Sequence, residues 1–126
     1  MIQEHKDLLL RDLCGRLPYG VKMNHIADTE NNPTTLVGIA KTMITLESSA
    51  GYGTSDIEDY IPYLFPLSSM TEEQMDEYYN LKQDIIDKLK DWKCAKLLNW
   101  LNKNHFDYRG LIPMGLAINA TGLNIY

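Results

Sequence analysis

The chain has 126 residues, 44% hydrophobic and 23% charged, and its twelve Lys and Arg against seventeen Asp and Glu give a net charge of −5. That suffices for one compact domain and is too little for two. The acidic balance argues against general nucleic-acid affinity, and no apolar run approaches the roughly 18 residues of a membrane span.

Leu8-Leu9-Leu10 is short and ringed by Glu4, Lys6, Asp7, Arg11 and Asp12, which does not suit a secretory signal. Cys14 and Cys94 are too far apart for a disulfide scaffold or a zinc cluster. The expectation is a soluble, cytoplasmic single domain spanning 1–126, with no cofactor, no metal and no membrane association.

Residues 2–14 read as a helix. Leu9 and Leu13 fall at i, i+4, Leu10 widens the stripe, Gly15 sits where a C-cap glycine belongs, and Pro18 blocks continuation. Residues 19–66 change period. Val21 and Met23 alternate with polar neighbours, Thr34 to Ile39 is rich in β-branched residues, and Thr42, Ile44 and Leu46 alternate again. Tyr63-Leu64-Phe65 is a fourth run, and Pro62 and Pro66 around it predict an edge strand. The breaks at Asp28–Pro33 and Ser48–Ser55 carry turn chemistry, which favours an antiparallel meander.

From Thr71 the period is helical. Thr71-Glu72-Glu73-Gln74 spells a capping box, flanked by Met70 and Met75 at the hydrophobic-staple positions. Acidic residues fill the first turns, where the helix dipole favours them. One stripe runs through Met75, Tyr78, Tyr79, Ile85, Ile86 and Leu89, and a second through Cys94, Leu97, Leu98 and Leu101. A break is expected at Lys90–Trp92 and the helical region should close near Asn104. The tail, 107–126, is too apolar to be disordered and should pack back on the core, with a short helical turn at Met114–Ile118. The fold class is therefore α+β: an N-terminal helix, a small antiparallel sheet or SH3-like barrel, and a C-terminal helical layer.

The densest chemistry is His105-Phe106-Asp107-Tyr108-Arg109-Gly110 at the end of the last helix. Arg109 can grip a phosphate or carboxylate through two parallel hydrogen bonds, Tyr108 can stack on a base, and His105 with Asp107 can form an acid–base pair. The bland alternative is a histidine complementing the helix dipole and an Asp/Arg pair tying down a turn. Five lysines between residues 88 and 103 oppose only Asp91, with Trp92 and Trp100 among them. Basic residues with aromatics can face nucleic acid, but core tryptophans beneath a solvated face explain the pattern more simply.

Gly51-Tyr52-Gly53-Thr54-Ser55 lacks the lysine and the spacing of a phosphate loop, and with Asp56, Glu58 and Asp59 it reads as a solvated acidic hairpin. Cys14 and Cys94 fall at apolar helical positions, where a free cysteine is usually a small core residue. His5, His25 and His105 lie in three different elements. Eight tyrosines are many for this length, and adjacent Tyr78 and Tyr79 cannot both face one core.

The stretches PYLFPLSSMTEE at 62–73 and WLNKNHFDYRGLI at 100–112, with Gly115-Leu116-Ala117, the LPYGVK strand and LVGI, resemble a family of small uncharacterised proteins. That family is common in gut Bacteroides-type bacteria and their phages and prophages. The resemblance implies a phage or mobile-element origin and a cytoplasmic location, and carries no activity to any residue.

The functional expectation is a non-enzymatic accessory protein that acts by binding a host or phage protein, as a homo-oligomer. One alternative is an oligomeric binder that sequesters a nucleotide-type immune signal through His105, Asp107, Tyr108 and Arg109. The other is a phosphoester or nucleotide enzyme working through His105 and Asp107.

Overall fold

The first helix, α1 (Gln3–Arg16), buries the stripe Leu9, Asp12, Leu13 and Arg16. The structure, a computed structural model, describes residues 1–88 and 91–126, with side chains outside 84–94. The helix runs past its expected end, and Gly15 is not a cap. It is a point of close approach, since a Cβ there would come within 3.0 Å of Asn102 Nδ2. A 3-10 turn over Leu17–Tyr19 takes Pro18 in its opening positions, and Gly20 (φ 65°) swings the chain into the sheet. Cys14 is exposed, not a core residue. It lies beside the buried stripe, outside the arc that packs.

Five strands pair antiparallel: β1 (Lys22–His25), β2 (Thr34–Ala40), β3 (Met43–Ser48), β4 (Gly51–Asp56) and β5 (Tyr60–Pro66). Two short strands, β6 (Phe106–Asp107) and β7 (Ile118–Asn119), run parallel to β5. The sheet order is β4-β3-β2-β1-β5-β6, with β7 also on β5. The sheet stays open, with β4 at one end and β7, beyond β5, at the other, rather than closing as an SH3-like barrel.

Two expectations about the sheet are corrected. β5 is not an edge strand, because β1 and then β6 lie along one side of it, bonded through Asp59 C=O and Phe65 N–H, and β7 lies along the other, bonded through Leu64 C=O. Ile26 N–H donates to Asp59 C=O at 2.9 Å, so alternation makes Met23↔Pro62 a pair that exchanges no hydrogen bonds. The missing proline N–H therefore costs nothing against β1. Residues 51–56, read as part of a turn, form β4, in unbroken register with β3 over six pairs. Two glycines hid the strand, because they remove the side chains whose alternation would have signalled it.

The core lies where α1 and the tail meet the sheet. Leu9, Leu13, Val21, Met23, Leu36, Ile44, Leu64 and Leu111 are all but inaccessible. Thr71 N–H donates to Gln74 Oε1 at 3.0 Å and Gln74 N–H to Thr71 Oγ1 at 3.2 Å, so the capping box opens α2 (Glu72–Lys88) as expected. α3 (Asp91–Lys103) follows. Of the expected break at Lys90–Trp92, Lys90 lies outside the described residues and Asp91 and Trp92 already belong to α3. The side chains of Ile85, Ile86, Leu89, Trp92 and Cys94 also lie outside the described residues, as do those of Lys88, Lys90 and Lys93. Tyr78 stacks on Trp100, while Tyr79 is exposed with its ring tilted against that of Tyr78 at 5.8 Å. The tail packs back through Leu111, Leu116, Ala117 and Ala120. Its expected helical turn is instead a series of turns leading into β7.

Candidate functional site

α3 stops at Lys103 because Asn104 and His105 leave the helix. His105 takes a left-handed conformation (φ 62°), and its C=O accepts the Phe65 N–H at 2.8 Å, which docks β6 beside β5. The four sequence-predicted site residues then face different neighbours, and they do not converge on one point.

Asp107 is buried, and its carboxylate accepts the backbone N–H groups of Leu111 and Ile112, both at 2.9 Å. It caps the turn that follows and forms no hydrogen bond with His105. Tyr108 donates its hydroxyl to Asn102 Oδ1 at 2.9 Å, and the guanidinium carbons of Arg16 and Arg109 each lie 5.1 Å from its ring centroid. Arg109 Nε donates to Asp12 Oδ1 at 3.2 Å. The chemistry that could grip a phosphate is thus turned toward α1.

The hub of this network is a pair the sequence reading passed over. Asp12 and Arg16 have no accessible surface, and Arg16 donates to Asp12 through Nε (2.7 Å) and Nη2 (3.1 Å). Arg16 Nη2 also reaches the Phe106 C=O at 2.7 Å, leaving Nη1 without a partner. The signal was legible. Both residues lie on the Leu9/Leu13 stripe, at i+3 and i+7 from Leu9, and charges on an apolar stripe announce a buried pair.

His105 faces the other way. Its ring stacks on that of Tyr126 at 3.7 Å between centroids and 11° between planes, and Phe65 tilts against Tyr126 at 5.8 Å. Burial, then the positive charges of Arg16 and Lys22, lower the imidazole to a pKa of about 4. It is neutral at pH 7. Nδ1 is enclosed without a partner. A buried N–H left unpaired costs more than a buried lone pair, which assigns the proton to Nε2.

Tyr126 holds a position nothing in the sequence announced. Lys22 and Tyr63 are the next pair in the β1–β5 register beyond Met23↔Pro62, and alternation makes them a hydrogen-bonded pair. The Tyr126 hydroxyl sits between them, accepting from Lys22 N–H at 2.9 Å and donating to Tyr63 C=O at 2.7 Å. Burial pushes this phenol far above its usual range, so it stays a donor.

These aromatics wall a cleft of about 340 Å3 between the end of α3, the start of α2 and the 119–126 segment. A second hollow of about 210 Å3 lies along β4, beside Leu46 and Tyr60. Among the described residues no group of His, Cys, Asp or Glu is placed to hold a metal ion, and no helix is long and apolar enough to cross a membrane. Comparison with protein-family models, curated proteins and solved structures finds no match to this chain. What is established is its class: an α+β domain built on an open mixed sheet.

Proposed function

We propose that the protein acts by binding, as a non-enzymatic accessory protein to which a host or phage protein adds a strand at β4. The observation that carries this reading is the free edge of β4. Ile57 N–H donates to Thr42 C=O at 2.8 Å, so alternation directs the backbone groups of residues 51, 53 and 55 toward β3. Those of Tyr52, Thr54 and Asp56 face outward. Natural edges are usually blunted by proline, lysine, a bulge or shortness. β4 has none of these, whereas β7, at the other end, is two residues long.

The side-chain pattern supports the same reading. Gly51, Gly53 and Ser55 lie on the face of Ile44 and Leu46, and a Cβ at either glycine would meet nothing within 4 Å. An incoming strand with large alternate side chains would cover that hollow. Tyr52, 74% exposed, stands on the opposite face beside Glu47, and with Asp56 it favours a partner with flanking Lys or Arg. The alternative of nucleotide capture through Tyr108 and Arg109 has less support, because both are engaged within the fold.

Thr54→Pro tests the proposal. It deletes an outward N–H and leaves the β3 ladder intact. The expected result is an unchanged melting temperature, with loss of a partner that the wild-type chain retains from host lysate. Concentration-dependent self-association lost in the same variant would make the occupant a second copy. Identical captures by both proteins would overturn the reading.

A further inference from the structure

The cleft beside His105 lies at the opposite end of the sheet from β4, and its lining has a distinct chemical character. Four rings contribute to it: Phe65, His105, Phe106 and Tyr126. Its polar residues are weighted toward donors. Lys103 supplies an exposed ammonium, and His105 supplies Nε2–H. Gln74 has its Oε1 engaged by Thr71 N–H, which leaves its amide NH2 to give. Asn104 and Ser69 spend their own donors on the Trp100 and Pro66 C=O groups, which leaves each an accepting oxygen. Among the described residues no acidic side chain lines the cleft, although the chain as a whole carries a net charge of −5.

A volume near 340 Å3 is at the small end of ligand pockets, which run from about 300 to 1,000 Å3. We propose that this cleft binds a small molecule made of a planar ring and an anionic group, the ring lying against the aromatic wall and the anion meeting Lys103, His105 Nε2–H and the Gln74 amide. Rings bring the apolar area, and the donors fix the orientation. The site is independent of the β4 edge and does not use Tyr108 or Arg109. It keeps His105 as a binding residue and gives it different companions from those its sequence neighbourhood suggested.

A phosphate on a base or a carboxylate on an arene would both satisfy this chemistry. The test is an NMR titration of the full chain with adenosine 5′-monophosphate, benzoate, adenosine and inorganic phosphate, each to about 5 mM, where millimolar dissociation constants are readable. The expected result is saturable movement of the Lys103, His105, Thr121 and Gly122 amides with one or both ring-bearing anions. Adenosine and phosphate should each bind at least about tenfold more weakly, because each lacks one half of the recognition. Response to the nucleotide alone identifies a base phosphate as the source, and response to benzoate alone an arene carboxylate.

Lys103→Ala, an exposed change, should weaken binding by about tenfold, and raised salt should weaken it as well. Lys96→Ala, on α3 but outside the cleft, should not. Three outcomes overturn the proposal: no movement with either ring-bearing anion, movement that maps elsewhere, or phosphate binding as well as the nucleotide.

Discussion

Arg16 is a guanidinium with no accessible surface, held by Asp12 and the Phe106 carbonyl. Its energetic weight shows when the partner goes. Asp12→Ala strands a buried positive charge and should cost about 3–5 kcal/mol in urea denaturation, against about 1 kcal/mol or less for the partly exposed Arg109→Ala. A larger loss for Arg109→Ala would move the hub of the network from Asp12–Arg16 to the tail. His105 provides a second residue-scale expectation. Its folded pKa of about 4 lies below the usual 6.5, so the unfolded chain takes up a proton that the folded one refuses. Stability is complete above pH 6.5 and should fall between pH 6.5 and 4, by about 1 kcal/mol once partial exposure is discounted. His105→Asn, whose side chain tolerates the left-handed backbone, should lack that slope in melting temperature against pH.

At the scale of elements, α1 and α2 were legible because their signals are local. The Leu9/Leu13 stripe and the Thr71–Gln74 capping box each need only neighbouring residues. β4 was not legible, since Gly51 and Gly53 erase the alternation that marks a strand. The central place of β5 was equally hidden. Whether Pro62 harms a sheet depends on which side its absent N–H faces, and that is decided by register with β1, a long-range property. The candidate site shows the same division. His105 to Arg109 drew notice as a string of functional groups, but folding sends His105 to one side and Tyr108 with Arg109 to the other. At this scale Gly15→Ala is informative. A methyl would gain helix propensity of up to about 1 kcal/mol, yet it meets Asn102 Nδ2 at 3.0 Å. Asn102 is buried and held by the Tyr108 hydroxyl, so it cannot yield freely, and net destabilisation is expected in thermal melts.

Across the whole molecule, the first 25 residues and the last 25 are stitched together. Asp12 meets Arg109, Arg16 meets Phe106, and Lys22 meets Tyr126. The long α2–α3 excursion between β5 and β6 returns to a body that is closed beneath it, so the hairpin should tolerate surface change better than the tail does. Tyr126→Phe removes the hydroxyl from the β1–β5 rung and should cost about 1 kcal/mol, the net worth of a typical hydrogen bond, read in thermal melts. The rung has a further consequence. Tyr126 belongs at once to the wall of the His105 cleft and to the seam between two central strands. Occupancy of the cleft and opening of the seam are then thermodynamically linked, since whatever steadies the ring steadies the hydroxyl. A single exchangeable proton, the Lys22 amide, becomes a gauge of whether the cleft is filled. Its exchange with solvent deuterium should slow as ligand is added, although Lys22 itself lies outside the cleft.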